Sequence, residues 1–149
     1  TIKMNTILIH NAKIINEGNS FKGSLLIEGE KISKIFKDEV PENILKNAEV
    51  VDADGKWALP GVIDSHVHFR EPGFTQKGDF QSESRAAVAG GVTSIMDMPN
   101  TSPMTTSMDE LDKKAEIASK KCLTNYSLYL DATENNIEEI KHLDPKKVC

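Results

Sequence analysis

Short apolar runs separated by polar turn residues make up the first 56 residues of the chain. Runs of this length, rich in Ile, Leu and Val and bounded by Gly, Asn and Asp, predict β-strands joined by tight turns. The predicted elements are strands at 6–9 and 13–15 on either side of Asn11, a hairpin over 24–36 that turns near Gly29, a polar connector over 40–47, and a strand over 49–52. A module this small buries little core by itself, so we expect it to pack on a larger domain.

From Trp57 onward the pattern changes to strand, loop and helix, repeated three times. The predicted strands are 61–68, 92–98 and 126–130, the predicted helices are 79–89, 107–122 and 134–143, and a fourth strand begins over 146–149. This alternation predicts an α/β fold with a parallel sheet. A closed (β/α)8 barrel needs about 250 residues, and only about 90 follow residue 56. We therefore interpret 57–149 as the first part of a TIM-type barrel, truncated after three βα units, and 1–56 as a separate small domain.

Composition and charge narrow the class of protein. Of the 149 residues, 38% are hydrophobic and 28% are charged, as is typical of a globular chain. The net charge is −5, whereas proteins that bind nucleic-acid phosphates or anionic membranes carry a basic excess. No apolar run approaches the roughly 20 residues of a membrane-spanning helix, and the two cysteines, Cys122 and Cys149, do not make a disulfide framework. We expect a cytoplasmic protein that binds neither nucleic acid nor membrane.

Asp64, His66 and His68 occupy alternate positions of the first predicted barrel strand. Because side chains in a strand repeat every two residues, the three point to one face, each about 6.7 Å from the next along the backbone. Two imidazoles so placed can converge on a metal ion, and the short Asp64 carboxylate can orient a ligand from the second coordination shell. Two histidines on a strand are more often ordinary surface residues. Their place at the carboxyl end of a barrel strand favours a metal site, since active sites assemble at that end.

Arg70 and Asn100 follow the first and second predicted barrel strands. A guanidinium beside a metal pair is suited to binding a substrate carboxylate in a bidentate manner, and an asparagine side chain offers both a donor and an acceptor. Each also has an ordinary explanation. Arg70 can form a surface ion pair with Glu71, and an asparagine after a proline is often a turn residue.

The second predicted helix begins with a Ser-x-x-Glu capping box at 107–110. Its apolar positions recur every three or four residues and predict the buried stripe: Leu111, Ala115, Ala118 and Cys122. The lysine pairs at 113–114 and 120–121 are interpreted as the solvated face of this helix. Asp97, inside the second barrel strand, receives no predicted role.

Three motifs carry a resemblance to a known family: LPGVIDSHVHFREPG at 59–73, AGGVTS at 89–94 and MPNT at 98–101. Together they resemble the dihydroorotases, which are cyclic amidohydrolases of the metal-dependent amidohydrolase superfamily. The N-terminal module is similar to the small β-sandwich of that family, so the resemblance covers essentially the whole chain. Arg70 favours dihydroorotase over its sister families. Allantoinases usually have Asn at this position, and hydantoinases and dihydropyrimidinases typically lack the Arg-Glu-Pro-Gly run.

The resemblance implies a (β/α)8 barrel with one or two zinc ions, preceded by the β-sandwich. His66 and His68 match two metal ligands, and Arg70 and Asn100 match residues that hold the substrate carboxylate. The implied reaction is the reversible cyclisation of N-carbamoyl-L-aspartate to dihydroorotate with loss of water, in pyrimidine biosynthesis, by a homodimer.

The residues that complete such a site come from later strands in that family. They are a bridging carboxylated Lys or Asp, two more histidines and a catalytic Asp, so no catalytic residue is identifiable in this chain. We expect the 149-residue chain to be inactive by itself and to be part of a longer enzyme. Two alternatives stay open: another cyclic amidohydrolase, such as an allantoinase or hydantoinase, and a non-catalytic homologue that serves as a structural subunit.

Overall fold

The fold is described from a computed structural model, which covers residues 6–149. The described chain divides into two compact units, one ending at Pro60 and the other spanning Gly61–Cys149. None of the helices in the described range is long and apolar enough to cross a membrane.

The first unit contains one mixed five-stranded sheet and a short helix. Its elements are β1 (Thr6–Asn16), β2 (Asn19–Glu28), β3 (Lys31–Phe36), α1 (Glu42–Asn47), β4 (Glu49–Asp52) and β5 (Trp57–Ala58). The sheet order is β3-β2-β1-β4, and β5 pairs with the second half of β1. The predicted hairpin turn is confirmed at Gly29, whose φ of 63° suits a glycine. Of the predicted sandwich, the described residues show this one sheet, and β5 lies in it although 57–58 were assigned to the second domain.

The prediction of two strands separated at Asn11 was wrong. β1 is continuous, and Asn11 (φ 55°) lies in a bulge where the register with β2 shifts between Ile9 and Ala12. An extra residue reverses the alternation of faces beyond it. Leu8 before the bulge and Ile14 after it accordingly belong to two different apolar clusters, although both positions are even.

The predicted connector over 40–47 contains a helix instead. Pro41 occupies the N-cap position, and an exposed i,i+4 ion pair joins Glu42 to Lys46. Ile44 and Leu45 pack on the cluster of Leu8, Leu26, Phe36 and Val40. Two apolar residues were too weak a signal in the sequence, and burial against the sheet stabilises a helix this short.

The second unit has the predicted alternation of parallel strands and helices. Its elements are β6 (Val62–Val67), α2 (Phe80–Ala89), β7 (Val92–Asp97), α3 (Met108–Lys121), β8 (Asn125–Leu128) and α4 (Ile137–Lys141). The sheet order is β6-β7-β8, with parallel pairing throughout. Its core is formed by Phe69, Phe80, Ile95, Leu111, Ala118 and Leu128. The α/β class is therefore confirmed as an open three-stranded segment, and closure into a barrel stays a prediction.

Side-chain caps begin α2 and α3. Asp79 caps α2 in a reciprocal capping box with Ser82, and Gly90 and Gly91 end that helix. Ser107 caps α3 by accepting the Glu110 amide, and the Glu110 carboxylate accepts the Thr106 amide (2.9 Å), one residue before the predicted partner.

The third predicted helix, 134–143, is shorter in the structure. The side chain of Asn136 accepts the Thr133 amide and donates to the Thr106 and Asp131 carbonyls, and these bonds hold its first residues in a turn. The predicted strand over 146–149 was also wrong. Residues 145–147 form a turn, although the Cys149 amide donates to the Leu128 carbonyl at the end of β8 (3.2 Å).

Candidate metal and substrate site at the end of the parallel sheet

The structure brings the two predicted metal ligands together at the carboxyl end of β6. The rings of His66 and His68 meet edge to face, with 5.2 Å between their centroids. His68 lies one residue beyond the strand, which ends at Val67, so only Asp64 and His66 occupy strand positions. His66 is exposed and His68 is half-buried.

A bulge in β6 orients the segment that carries His66. The register with β7 shifts between Asp64 and Val67, which interrupts the ladder of main-chain hydrogen bonds. Side chains bind the main-chain groups at the bulge. The Asp64 carboxylate accepts the His66 amide (3.1 Å), and the Tyr129 hydroxyl donates to the Ser65 carbonyl (3.1 Å). Asp64 therefore holds the main chain of His66, a contact consistent with its predicted supporting role.

Asn100 contacts His68 directly. The His68 Nδ1 lies 2.8 Å from the Asn100 Oδ1. An amide oxygen only accepts, so Nδ1 carries the hydrogen and the lone pair of a neutral ring is on Nε2. This leaves Nε2 available to a metal, as in the usual arrangement of metal-binding histidines. The sequence had assigned Asn100 only to the substrate, and its contact with His68 was missed.

The Arg70 guanidinium has no hydrogen bond or ion pair within residues 6–149, although the Arg70 carbonyl accepts the Phe74 amide (3.0 Å), and the backbone is in the left-handed region (φ 69°). The ordinary explanation, an ion pair with Glu71, is not what the structure has. Glu71 is buried, forms an ion pair with Lys121 and accepts the Phe80 amide at the start of α2 (3.1 Å). The hydrogen bond to Glu71 raises the pKa of Lys121. The Arg70 guanidinium is thus left for another partner.

Asp97 and Lys114 form a buried ion pair that the sequence interpretation missed. Both side chains are fully buried, and Asp97 Oδ2 lies 2.7 Å from Lys114 Nζ. Burial lowers the pKa of Lys114, and the Asp97 carboxylate opposes that effect. The assignment of Lys114 to the solvated face of α3 was wrong, because Lys114 lies on the same stripe as Leu111 and Ala118, three and four residues away. That spacing was the signal that could have found it.

The His66 and His68 imidazoles are suitable zinc ligands. His66 and His68 supply two imidazoles, and zinc binds imidazole as well as thiolate and carboxylate groups. A catalytic zinc site uses three protein ligands. No group of three or more His, Cys, Asp or Glu side chains able to hold a metal occurs in the described part of the chain. These two histidines are therefore the described residues that could contribute to such a site.

Comparisons with known proteins agree with this geometry. The model of the amidohydrolase family matches residues 57–148. A dihydroorotase of Methanosarcina mazei is 39% identical over 140 residues, which is 94% of this chain and 30% of that protein. A dihydroorotase of Aquifex aeolicus is 46% identical over 100 residues, 65% of this chain and 22% of that protein.

Solved structures show the same architecture. The L-hydantoinase (dihydropyrimidinase) of Arthrobacter aurescens superposes with a TM-score of 0.82 at 28% identity, over 93% of this chain and 30% of that one. A D-hydantoinase superposes with a TM-score of 0.73 at 30% identity, over 91% and 30% of the two chains. The chain thus spans about 30% of the length of these relatives. Since the family model covers more than half of its residues, the chain belongs to the amidohydrolase family.

Proposed function

We propose that this chain forms the N-terminal part of a zinc-dependent dihydroorotase, which interconverts N-carbamoyl-L-aspartate and dihydroorotate in pyrimidine biosynthesis. The observation that carries the proposal is the Arg70 guanidinium, which lies two residues beyond the histidine pair and has no hydrogen bond or ion pair within residues 6–149. Both ring and open-chain substrates carry a carboxylate, which a free guanidinium can bind with two parallel hydrogen bonds. The dihydroorotases among the curated relatives support the same choice.

Each residue of the site has a distinct task in this proposal. His66 and His68 hold the zinc, Asp64 fixes the His66 main chain, and Asn100 fixes the His68 ring. Zinc, when bound, supplies an activated water and polarises the ring amide carbonyl. The Asn100 amide nitrogen makes no hydrogen bond within residues 6–149, so it can donate to a carboxylate oxygen held by Arg70. Asn100 thereby serves both the metal ligand and the substrate.

Some parts of the proposal rest on the sequence alone, either on its patterns and composition or on the resemblance that its motifs carry. These are closure of the (β/α)8 barrel, a domain division near residue 56, one or two zinc ions, a homodimer and a cytoplasmic location. The remaining metal ligands and the catalytic Asp would come from sequence beyond Cys149. We accordingly expect the 149-residue chain to be inactive by itself and call the complete protein the intact enzyme.

A second candidate is a hydantoinase-type cyclic amidohydrolase, because the solved structures reported above carry that activity in their names. The two functions differ in the substrate carboxylate, since hydantoin and dihydrouracil rings lack it. Arg70 has no comparable task on such a ring.

The test is an assay of the zinc-loaded intact enzyme on dihydroorotate and on hydantoin, before and after Arg70→Ala. We expect wild-type turnover of dihydroorotate, and a loss in kcat/KM of about 10- to 100-fold in the variant, the range for a hydrogen bond between charged groups. Activity on a carboxylate-free ring should change little. Arg85→Ala, at an exposed position of α2, is the matched control. A wild-type preference for hydantoin, or equal losses on both rings, would contradict the proposal.

A further inference from the structure

The Asp97–Lys114 pair lies on the side of the sheet that faces the helices, directly behind the candidate site. Lys114 Nζ contacts Asp97 Oδ2 at 2.7 Å and donates to the Met98 carbonyl at 2.8 Å. The ammonium is thereby fixed at two points where β7 ends. Within the described residues, Asp97 Oδ2 accepts from no other donor. The ammonium therefore provides the charge that balances this buried carboxylate.

The other carboxylate oxygen of Asp97 reaches across to the chain that follows β6. Asp97 Oδ1 accepts the Phe69 amide at 2.7 Å, a short distance that is typical of a charged acceptor. Phe69 lies between His68 and Arg70, the proposed metal ligand and the proposed carboxylate binder. Its ring packs edge to face on Phe80 in the core, 5.8 Å between centroids. One peptide between the two functional residues is thus held by a side-chain bond and a ring contact.

Main-chain bonds extend this support on both sides of Asp97. The Met98 amide donates to the Val67 carbonyl (2.9 Å), and the Tyr129 amide donates to the Asp97 carbonyl (3.0 Å). Asp97 therefore lies where the carboxyl ends of β6, β7 and β8 are joined. A shift of its side chain would move the peptide that joins His68 to Phe69.

A fully buried ion pair is a poor device for stability alone. Taking both charges out of water costs about as much as their attraction returns, and apolar residues of similar volume often do as well. Nothing in the core around Leu111 and Ala118 requires a lysine for packing. The specific contribution of the pair is an immobile hydrogen-bond acceptor for the Phe69 amide, held in place by Lys114.

We propose that Asp97 and Lys114 form a positioning unit: Asp97 fixes the peptide between His68 and Phe69, and so the directions of His68 and Arg70, while Lys114 neutralises and aims the carboxylate. Neither residue touches metal or substrate, so both are positioning residues. The inference rests on the proposed function in that it takes His68 as a metal ligand. Its geometric part, the fixed Phe69 peptide, is independent of that function.

The test compares two uncharged replacements in the intact enzyme. D97N/K114M removes both charges but keeps an oxygen that can accept the Phe69 amide, and D97L/K114M removes the acceptor as well. We expect D97N/K114M to bind Co²⁺ within about threefold of wild type. D97L/K114M should bind about 10- to 100-fold more weakly, with an altered visible absorption spectrum of the bound cobalt, as when a supporting residue behind a ligand is lost. Hydrogen exchange at the Phe69 amide, measured without metal, should accelerate in D97L/K114M only.

Near-UV circular dichroism checks that each variant is folded. If D97L/K114M does not fold, D97S/K114M takes its place, since the shorter serine side chain does not span the distance to the Phe69 amide. Equal cobalt affinity and equal Phe69 exchange in a folded acceptor-free variant and in D97N/K114M would overturn the positioning unit. Failure of the wild-type enzyme to bind cobalt would overturn the proposed function instead, and the metal-free exchange rates would then decide the positioning unit.

Discussion

The segment that follows β6 has two unlike sides. Toward the helices, Val67 packs in the core and Phe69 and Glu71 are buried, and each of them is hydrogen-bonded. On the other side, the side chains have few partners in the described chain: the His66 and His68 rings contact each other, His68 contacts Asn100, and the Arg70 guanidinium has no hydrogen bond or ion pair. The residues suited to chemistry are therefore held through their neighbours in the chain. Rigid support on one side leaves polar groups free on the other.

The largest effect is expected from removing the two histidine side chains that face away from the helices. Replacing both His66 and His68 with Ala in the intact enzyme should abolish zinc at the site they share and reduce turnover to background, because a zinc site has only three or four protein ligands and this change removes two of them. Metal content by atomic absorption and a dihydroorotate assay check the two parts. His142→Ala, at an exposed position at the end of α4, is the control and should retain both metal and activity. Stoichiometric zinc in the double variant would show that the histidines are not ligands.

On the side that faces the helices, the largest loss of stability is expected from Lys114→Met alone. This change leaves the Asp97 carboxylate buried without its ion pair, and breaking a buried pair in this way typically costs about 3–5 kcal/mol of the free energy of unfolding. Urea denaturation of the intact enzyme measures the loss. Lys113→Met is the matched control one position away, where the lysine pairs with Asp109 in solvent and should change the unfolding midpoint little. Similar midpoints for the two variants would contradict the importance of the buried pair.

The one side-chain hydrogen bond to His68 among the described residues can be probed at Asn100. Asn100→Ala removes the acceptor of the His68 Nδ1 hydrogen, so the ring can rotate or change tautomer, and we expect Co²⁺ affinity to fall about 10- to 100-fold. Asn100→Asp keeps an oxygen acceptor and should retain most of the affinity. Titration of the metal-free intact enzyme with Co²⁺ measures both. Unchanged affinity in the Ala variant would leave Asn100 with only its proposed substrate contact.

The two sides also differ in how far the sequence predicted them. The alternation of strands and helices, the convergence of His66 and His68 and the cap at Ser107 were predicted, because periodicity, spacing and capping residues act locally. Lys114 was assigned to the solvated face because it is charged, although it lies on the apolar stripe of α3. Its burial is explained by the ion pair with Asp97. That pair, like the contact of Asn100 with His68, joins residues far apart in the chain, and a single sequence does not reveal such contacts.

The bulge in β1 and the helix over 42–47 escaped prediction for a related reason. Asn11 is as suitable for a turn between strands as for a bulge within one, and only pairing with β2 decides between them. Two apolar residues in a polar stretch become a helix when a sheet is present to bury them. Local sequence patterns therefore predict the types of most elements. Long-range packing determines whether a strand is continuous and whether a short helix forms.

The smallest effect is expected from Tyr129→Phe, which weakens the support of the β6 bulge. The Tyr129 hydroxyl is the side-chain donor to the Ser65 carbonyl, and a single hydrogen bond of this kind contributes about 0.5–1.5 kcal/mol. Tyr126→Phe is the matched control, since its hydroxyl donates to the Ala115 carbonyl on α3 and not to β6. Both variants should lower the urea midpoint by a similar small amount, and only Tyr129→Phe should alter the spectrum of cobalt held by His66 and His68. If Tyr126→Phe alters that spectrum equally, the bulge has no special part in directing His66, and support of the site is spread over the whole sheet.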